Sequence, residues 1–173
     1  MKRVALFLAL FLFLFQIAHP SDKNDNVKGG FRKCVVYQYS YKFGKVDIKS
    51  KVKSSIYKYD DRGNMIEDVE YRADDSVDGK MTLKYDDKGN EIEWVEYKAD
   101  GSVIMKDTYK YDDKGNKIED VSYNADGSVL WKYTYKYDDK GNEIEYVWYN
   151  ADGSVDEKMT YKYDDKGNKI ETV

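Results

Sequence analysis

A single histidine, a single cysteine and a single proline occur in 173 residues, and each scarcity closes off a class of chemistry. The histidine is His19, within an N-terminal apolar stretch, so the rest of the chain has no imidazole to serve as a general base. Cys34 is alone, so no internal disulfide forms, and it lacks the histidine partner that would make it a nucleophile. It precedes Val35 and Val36 in a strand-like run and is expected to be buried as a small apolar side chain. Leu, Ile, Val and Phe are thin after the first 18 residues, which excludes a thick aliphatic core. Whatever is buried must be largely tyrosine rings and lysine stems. Helix is disfavoured as well, because a turn signal interrupts the chain every 12 or 14 residues from residue 60 onward.

Long hydrophobic runs are confined to the N-terminus. Residues 1–21 read as a secretory signal peptide: Lys2 and Arg3 form its positive region, and residues 4–18 are apolar apart from Gln16. That run is shorter than the ~20 residues a membrane helix needs. After its removal the chain is expected not to be an integral membrane protein, and to be secreted, periplasmic or at a bacterial cell surface. Residues 22–30, polar and ending in Gly29-Gly30, read as a flexible leader. The formal charge of -4 becomes about -6 once Lys2 and Arg3 are gone. A mildly acidic, mixed composition argues against a nucleic-acid partner.

What is abundant is tyrosine, with 18 residues, and charge, at 36%. Both are organised by repetition. The octapeptide Tyr-Lys-Tyr-Asp-Asp-Lys-Gly-Asn begins at Tyr109, Tyr135 and Tyr161, with near-copies at Tyr57 and Leu83, a constant period of 26 residues. Such a period marks an array in which each unit contacts mainly its neighbours. In the unit 117–142, Asn124-Ala125-Asp126-Gly127 and Asp138-Asp139-Lys140-Gly141 each suit a type I turn closed by a left-handed glycine. Asp75 replaces the glycine in one such turn and is expected to tolerate the left-handed region. The runs between turns, 117–123 and 129–137, are rich in Tyr, Val, Ile and Thr and read as strands.

These features predict an all-β fold: an antiparallel β-meander repeat array of 26-residue, two-strand repeats. Roughly eleven strands form a single-layer sheet that stays open, twisted or curved, or curls part-way. Residues 57–173 carry the repeats, and residues 31–56 form a degenerate capping repeat that turns at Lys42-Phe43-Gly44-Lys45. If the turns alone set the register, Val121 faces Trp131, Glu119 faces Tyr133, Asp120 faces Lys132 and Ile118 faces Thr134. One face then carries Tyr and Val with a glutamate ladder at Glu67, Glu93, Glu119 and Glu145, and the other carries Ile and Lys. A short C-terminal strand leaves an edge open to self-association.

The string Thr108-Tyr109-Lys110-Tyr111-Asp112-Asp113-Lys114-Gly115-Asn116 resembles the tyrosine-aspartate (YD) repeat of Rhs-type bacterial proteins. The likeness rests on Tyr111-Asp112-x-x-Gly115 with Thr108 upstream and Ile118 downstream, and it recurs at Tyr59, Tyr85, Tyr137 and Tyr163. It implies an exported β-repeat protein. In large members such repeats form spiralling sheets that encapsulate a toxin domain. Here Asn116 follows the glycine where the family often has Arg, the repeats are few, and no effector domain follows. The cage role is therefore not carried over, and the chain looks more like small secreted repeat proteins of gut-type bacteria.

No catalytic residue, cofactor site or metal site is expected. The glutamates recur at every repeat as structural residues do. The Asp-Asp-Lys-Gly-Asn turns lack the oxygen-rich loop that calcium requires, and turn chemistry explains their Asp and Gly. Candidate ligand-binding aromatics are Trp94, Tyr146 and Trp148, which replace Asp, Glu or Ser of other copies and fall, in this register, on the Ile/Lys face. The expected function is a non-enzymatic binding or structural module for a protein or carbohydrate partner. The alternative is a carrier or neutralising partner in a polymorphic-toxin system.

Overall fold

The structure, a computed structural model, describes residues 32–173; the signal-peptide and leader segments lie outside the described residues. Eleven strands follow one another: β1 (Arg32–Lys42), β2 (Lys45–Tyr59), β3 (Met65–Tyr71), β4 (Val77–Tyr85), β5 (Glu91–Lys98), β6 (Val103–Tyr111), β7 (Lys117–Asn124), β8 (Val129–Tyr137), β9 (Glu143–Asn150), β10 (Val155–Tyr163) and β11 (Lys169–Thr172). They form one open antiparallel sheet in sequence order. Each strand touches only its sequence neighbours, so the described fold is a single layer.

The turns form as their residues require. Gly127 has φ 82°, its N–H donates to the Asn124 carbonyl at 2.9 Å, and the Asn124 N–H donates to the Ser128 carbonyl at 2.9 Å. Asp75 takes φ 66° and its N–H makes the equivalent bond to the Arg72 carbonyl at 3.0 Å, so the turn survives without glycine. In the Asp-Asp-Lys-Gly-Asn turns the first carboxylate supplies the closure. Asp138 Oδ1 accepts the Lys140 and Asn142 N–H groups at 2.9 and 2.8 Å, and its Oδ2 accepts the Asn142 side-chain amide at 2.8 Å. These bonds favour the ionised form and hold the Asp138 carboxyl below its ordinary value despite some desolvation.

The register differs from the one the turns alone suggest. Tyr123 does face Val129, but the next pair is Ser122 with Trp131, followed by Val121 with Lys132, Asp120 with Tyr133 and Glu119 with Thr134. Leu130 is an extra residue, a bulge just after the turn. The same slip occurs after the other turn type, where Tyr137 faces Glu143 and Lys136 faces Glu145, leaving Ile144 unpaired. A one-residue slip exchanges the faces. Glu119 therefore lies beside Lys110 and Lys132 instead of Tyr133, and Asp120 lies beside Tyr133 instead of Lys132.

The corrected sheet has an ion-pair face and an aromatic face. On the first, Glu119 bonds Lys110 at 2.6 Å through one oxygen and Lys132 at 2.5 Å through the other. Glu93 is clamped likewise by Lys84 and Lys106, and Glu145 by Lys136 and Lys158. The lysines hold the carboxyls of Glu93 and Glu119 below the ordinary glutamate range. Under these clamps lies a ladder of Val69, Val95, Val121 and Val147, the most buried aliphatic residues after Leu83 is set aside on the opposite face.

Tyr137 has a structural task that the sequence pattern did not disclose. The β7–β8 ladder ends at the Glu119–Thr134 pair, so the Lys117 carbonyl at the start of β7 has no ladder partner from β8, and the Tyr137 hydroxyl donates to it at 2.9 Å. Tyr85, Tyr111 and Tyr163 make the same bond to the carbonyls of Met65, Glu91 and Glu143. Cys34, expected to be buried, is exposed: β1 is an edge strand, and among the described residues no second layer covers it.

Candidate functional site

Rows of side chains crossing the sheet separate scaffold from variation. Every position on the ion-pair face repeats: Val at 69, 95, 121 and 147; Glu at 67, 93, 119 and 145; Lys at 80, 106, 132 and 158. The aromatic face repeats only in part: Tyr109, Tyr135 and Tyr161 recur, but its other rows change from copy to copy. Asp68, Trp94, Asp120 and Tyr146 occupy one equivalent position, and Glu70, Glu96, Ser122 and Trp148 the next along the strand. The long strands vary in step, with Met105 and Trp131 equivalent, as are Asp107 and Tyr133. The structure therefore gathers the differences between copies on one surface.

On β8 and β9 these differences produce an aromatic platform. Tyr133 is its centre. Its ring stacks on Tyr146 at 5.4 Å with 25° between planes, and lies 4.8 Å from Trp131 and 6.0 Å from Trp148. Tyr135 closes the group against Tyr146 at 5.8 Å. Of the three aromatics singled out in the sequence, Tyr146 and Trp148 come together here, on the aromatic face and not among Ile and Lys. Trp94 does not join them. It sits four strands away on β5, roughly 20 Å at the usual strand spacing, with its indole N–H on the Met81 sulfur at 3.2 Å. Trp131, Tyr133 and Tyr135 were missed because the slipped register put them with the scaffold tyrosines.

A polar border lies directly beside the platform. Asp120 pairs across the strand with Tyr133, and Ser122 pairs with Asp107 on one side and Trp131 on the other. Ser122 is fully buried. The Ser122 hydroxyl, Asp107 Oδ1, Asp120 Oδ1 and the Trp148 indole N–H are all buried without a hydrogen-bond partner among the described residues. Lys117 meets the other Asp120 oxygen at only 3.4 Å and spreads its charge over the Tyr109 ring at 4.1 Å. Burial pushes the Asp120 carboxyl above the ordinary aspartate value. It also pushes the Tyr146 hydroxyl up to about 12, with the Tyr133 hydroxyl adding to the effect.

Chemically, this is a surface of aromatic faces, with unsatisfied acceptors and one indole donor buried beneath and beside them. Buried polar groups lacking partners cost free energy that a ligand's hydroxyls can recover. Among the described residues no group of His, Cys, Asp and Glu is placed to hold a metal. A shallow depression of about 370 Å³, lined by Val103, Lys106, Thr108 and Tyr123, lies on the ion-pair face, away from the platform.

No protein-family description matches the chain, and no curated protein does. Among solved structures, the TcdB2-TccC3 crystal structure is 18% identical with a TM-score of 0.42, over 68% of this chain and 7% of that one. A porin-like protein from Bacteroides uniformis is 18% identical with a TM-score of 0.37, over 78% of this chain and 52% of that one. TarM is 15% identical with a TM-score of 0.30, over 70% of this chain and 20% of that one. The chain thus spans a small part of the first and last and about half of the second. Likenesses of this size carry no argument about ligands.

Proposed function

We propose that this chain is a secreted or surface-associated, non-enzymatic binding module whose aromatic face takes carbohydrate. The observation that carries the reading is the Tyr133-centred platform, in which Tyr133 stacks on Tyr146 beside Trp131 and Trp148. A sugar ring offers C–H faces that lie on aromatic rings and hydroxyls that donate to carboxylates or accept from an indole N–H. No catalytic step is proposed. Glu93, Glu119 and Glu145 on the ion-pair face have both oxygens held by lysines.

A glycan array probed with residues 22–173, which carry all eleven strands, tests the proposal. Trp148→Ala and Tyr133→Ala are expected to reduce binding roughly tenfold or more, as loss of a central aromatic does. Trp94→Ala, outside the platform, is expected to leave it unchanged. Equal loss in all three variants, or no glycan binding, sinks the reading. Capture of a protein toxin in a parallel pull-down, with no glycan bound, would instead favour the carrier or neutralising role.

A further inference from the structure

The first hairpin is unlike the rest of the sheet in charge and in its tip. Residues 32–59 contain eight Lys and Arg against one acid, Asp47, whereas residues 60–173 contain 17 Lys and Arg against 30 Asp and Glu. The hairpin is therefore strongly basic and the repeats strongly acidic. Lys53 and Lys58 lean back onto the repeats, pairing with Asp75 at 3.6 Å and Glu67 at 2.6 Å. The remaining basic residues lie in β1 and in the distal half of β2.

The tip itself is apolar. Phe43 is fully exposed, and Ile48 and Tyr41 are exposed by 76% and 70%. Val46 pairs with Tyr41 across the hairpin and is also exposed. Phe43 has φ 51°, a left-handed conformation that Gly or Asn adopts far more readily in a two-residue turn. The residue thus carries backbone strain, and its ring gains no burial among the described residues. Next to the tip β2 bulges outward: one residue of β1 stands opposite residues 48–51. Ser50 pins this bulge, its hydroxyl accepting the Ser40 N–H and donating to the Asp47 carbonyl, both at 2.6 Å. Ile48 is the first residue of this bulge, just past the Ser40–Asp47 pair and about 10 Å along the hairpin from the turn.

We infer that the β1–β2 hairpin is a docking element for an anionic lipid surface, with Phe43, Ile48, Val46 and Tyr41 entering the interfacial layer and the surrounding lysines resting on the headgroups. An apolar, aromatic tip within a basic belt is the chemistry that binds such surfaces. Exposed apolar side chains at and just behind the tip distinguish it from a purely electrostatic site for nucleic acid or an acidic protein, where Phe43, Val46 and Ile48 would gain nothing. The acidic repeats would be repelled by the same surface, so the sheet would stand away from it on its N-terminal hairpin. The inference is independent of the sugar-binding reading, which concerns β6–β9.

The test is co-sedimentation of residues 22–173 with vesicles of phosphatidylglycerol and phosphatidylcholine, against vesicles of phosphatidylcholine alone. Binding is expected to the mixed vesicles only and to weaken with salt. Phe43→Asn suits the left-handed turn and keeps the hairpin folded; it should weaken binding roughly tenfold or more, since a phenyl ring no longer leaves water. Lys45→Gln and Lys49→Gln should each cost on the order of fivefold. Unchanged binding by Phe43→Asn, equal binding to neutral vesicles, or sedimentation without vesicles through contact of the basic hairpin with another copy's acidic repeats would each overturn the inference.

Discussion

Replacing Tyr137 by Phe removes one oxygen and little else, so it isolates the bond that caps the end of the β7–β8 ladder. The Tyr137 hydroxyl donates to the Lys117 carbonyl at 2.9 Å, and without it that half-buried carbonyl has no partner from β8. A neutral hydrogen bond contributes about 0.5–1.5 kcal/mol, so the single variant should lose about 1 kcal/mol. Tyr85, Tyr111 and Tyr163 make equivalent bonds at 2.9, 2.8 and 2.8 Å. Successive sites are two strands apart, about 10 Å, which is far enough for their effects to add. The quadruple Phe variant should therefore lose about 4 kcal/mol. Urea unfolding followed by tryptophan fluorescence reads both, with an unchanged dependence on urea. The bonds also set an alkaline limit. Burial raises the hydroxyls of Tyr85, Tyr111 and Tyr137 above the ordinary tyrosine value. Above about pH 10 the unfolded chain loses these protons first, the folded chain binds more protons, and stability falls as pH rises through the folded values. Below that pH the contribution is complete. The Phe variants should show a shallower alkaline loss. A single variant as stable as the parent, or a quadruple variant no worse than a single one, would refute the role assigned to these hydroxyls.

Two further outcomes follow from local features. Asp120→Asn should raise the urea midpoint at pH 7, because burial disfavours its charge. The folded carboxyl titrates above the unfolded one, so its penalty fades as pH falls, and the two proteins should converge in melts below pH 4. Asp75→Gly should stabilise by about 1 kcal/mol by relieving the left-handed φ of 66°; an unchanged calorimetric melting temperature would show that the aspartate sits there without strain.

The repeat period, both turn types and the strands of the unit 117–142 were legible because Gly, Asn and Asp mark the turns so regularly. What misled was the pair of bulges. Each inserts one residue just past the turn, and that residue is Leu130 in one hairpin and Ile144 in the other, apolar like those around it. Hydrophobic alternation cannot register such a slip. Charge could have: shifting one residue lines up Lys110, Glu119 and Lys132, and the same row recurs at Glu93 and Glu145. The consequence for the site was partial sight of it. Tyr146 and Trp148 stood out as departures from the repeat, while Tyr133 and Trp131 were read as part of the scaffold, and Asp120 was paired with a lysine it does not face.

A sheet whose strands touch only their chain neighbours also has a distinctive mechanical character. Load applied between the two ends falls on one interstrand ladder at a time, peeling it open from its edge instead of shearing many ladders at once. Extension would proceed as a staircase, each 26-residue unit releasing on the order of 90 Å of contour at the length of an extended chain. The molecule would lengthen under tension in small reversible increments, a compliant tether whose reach is set by the number of units.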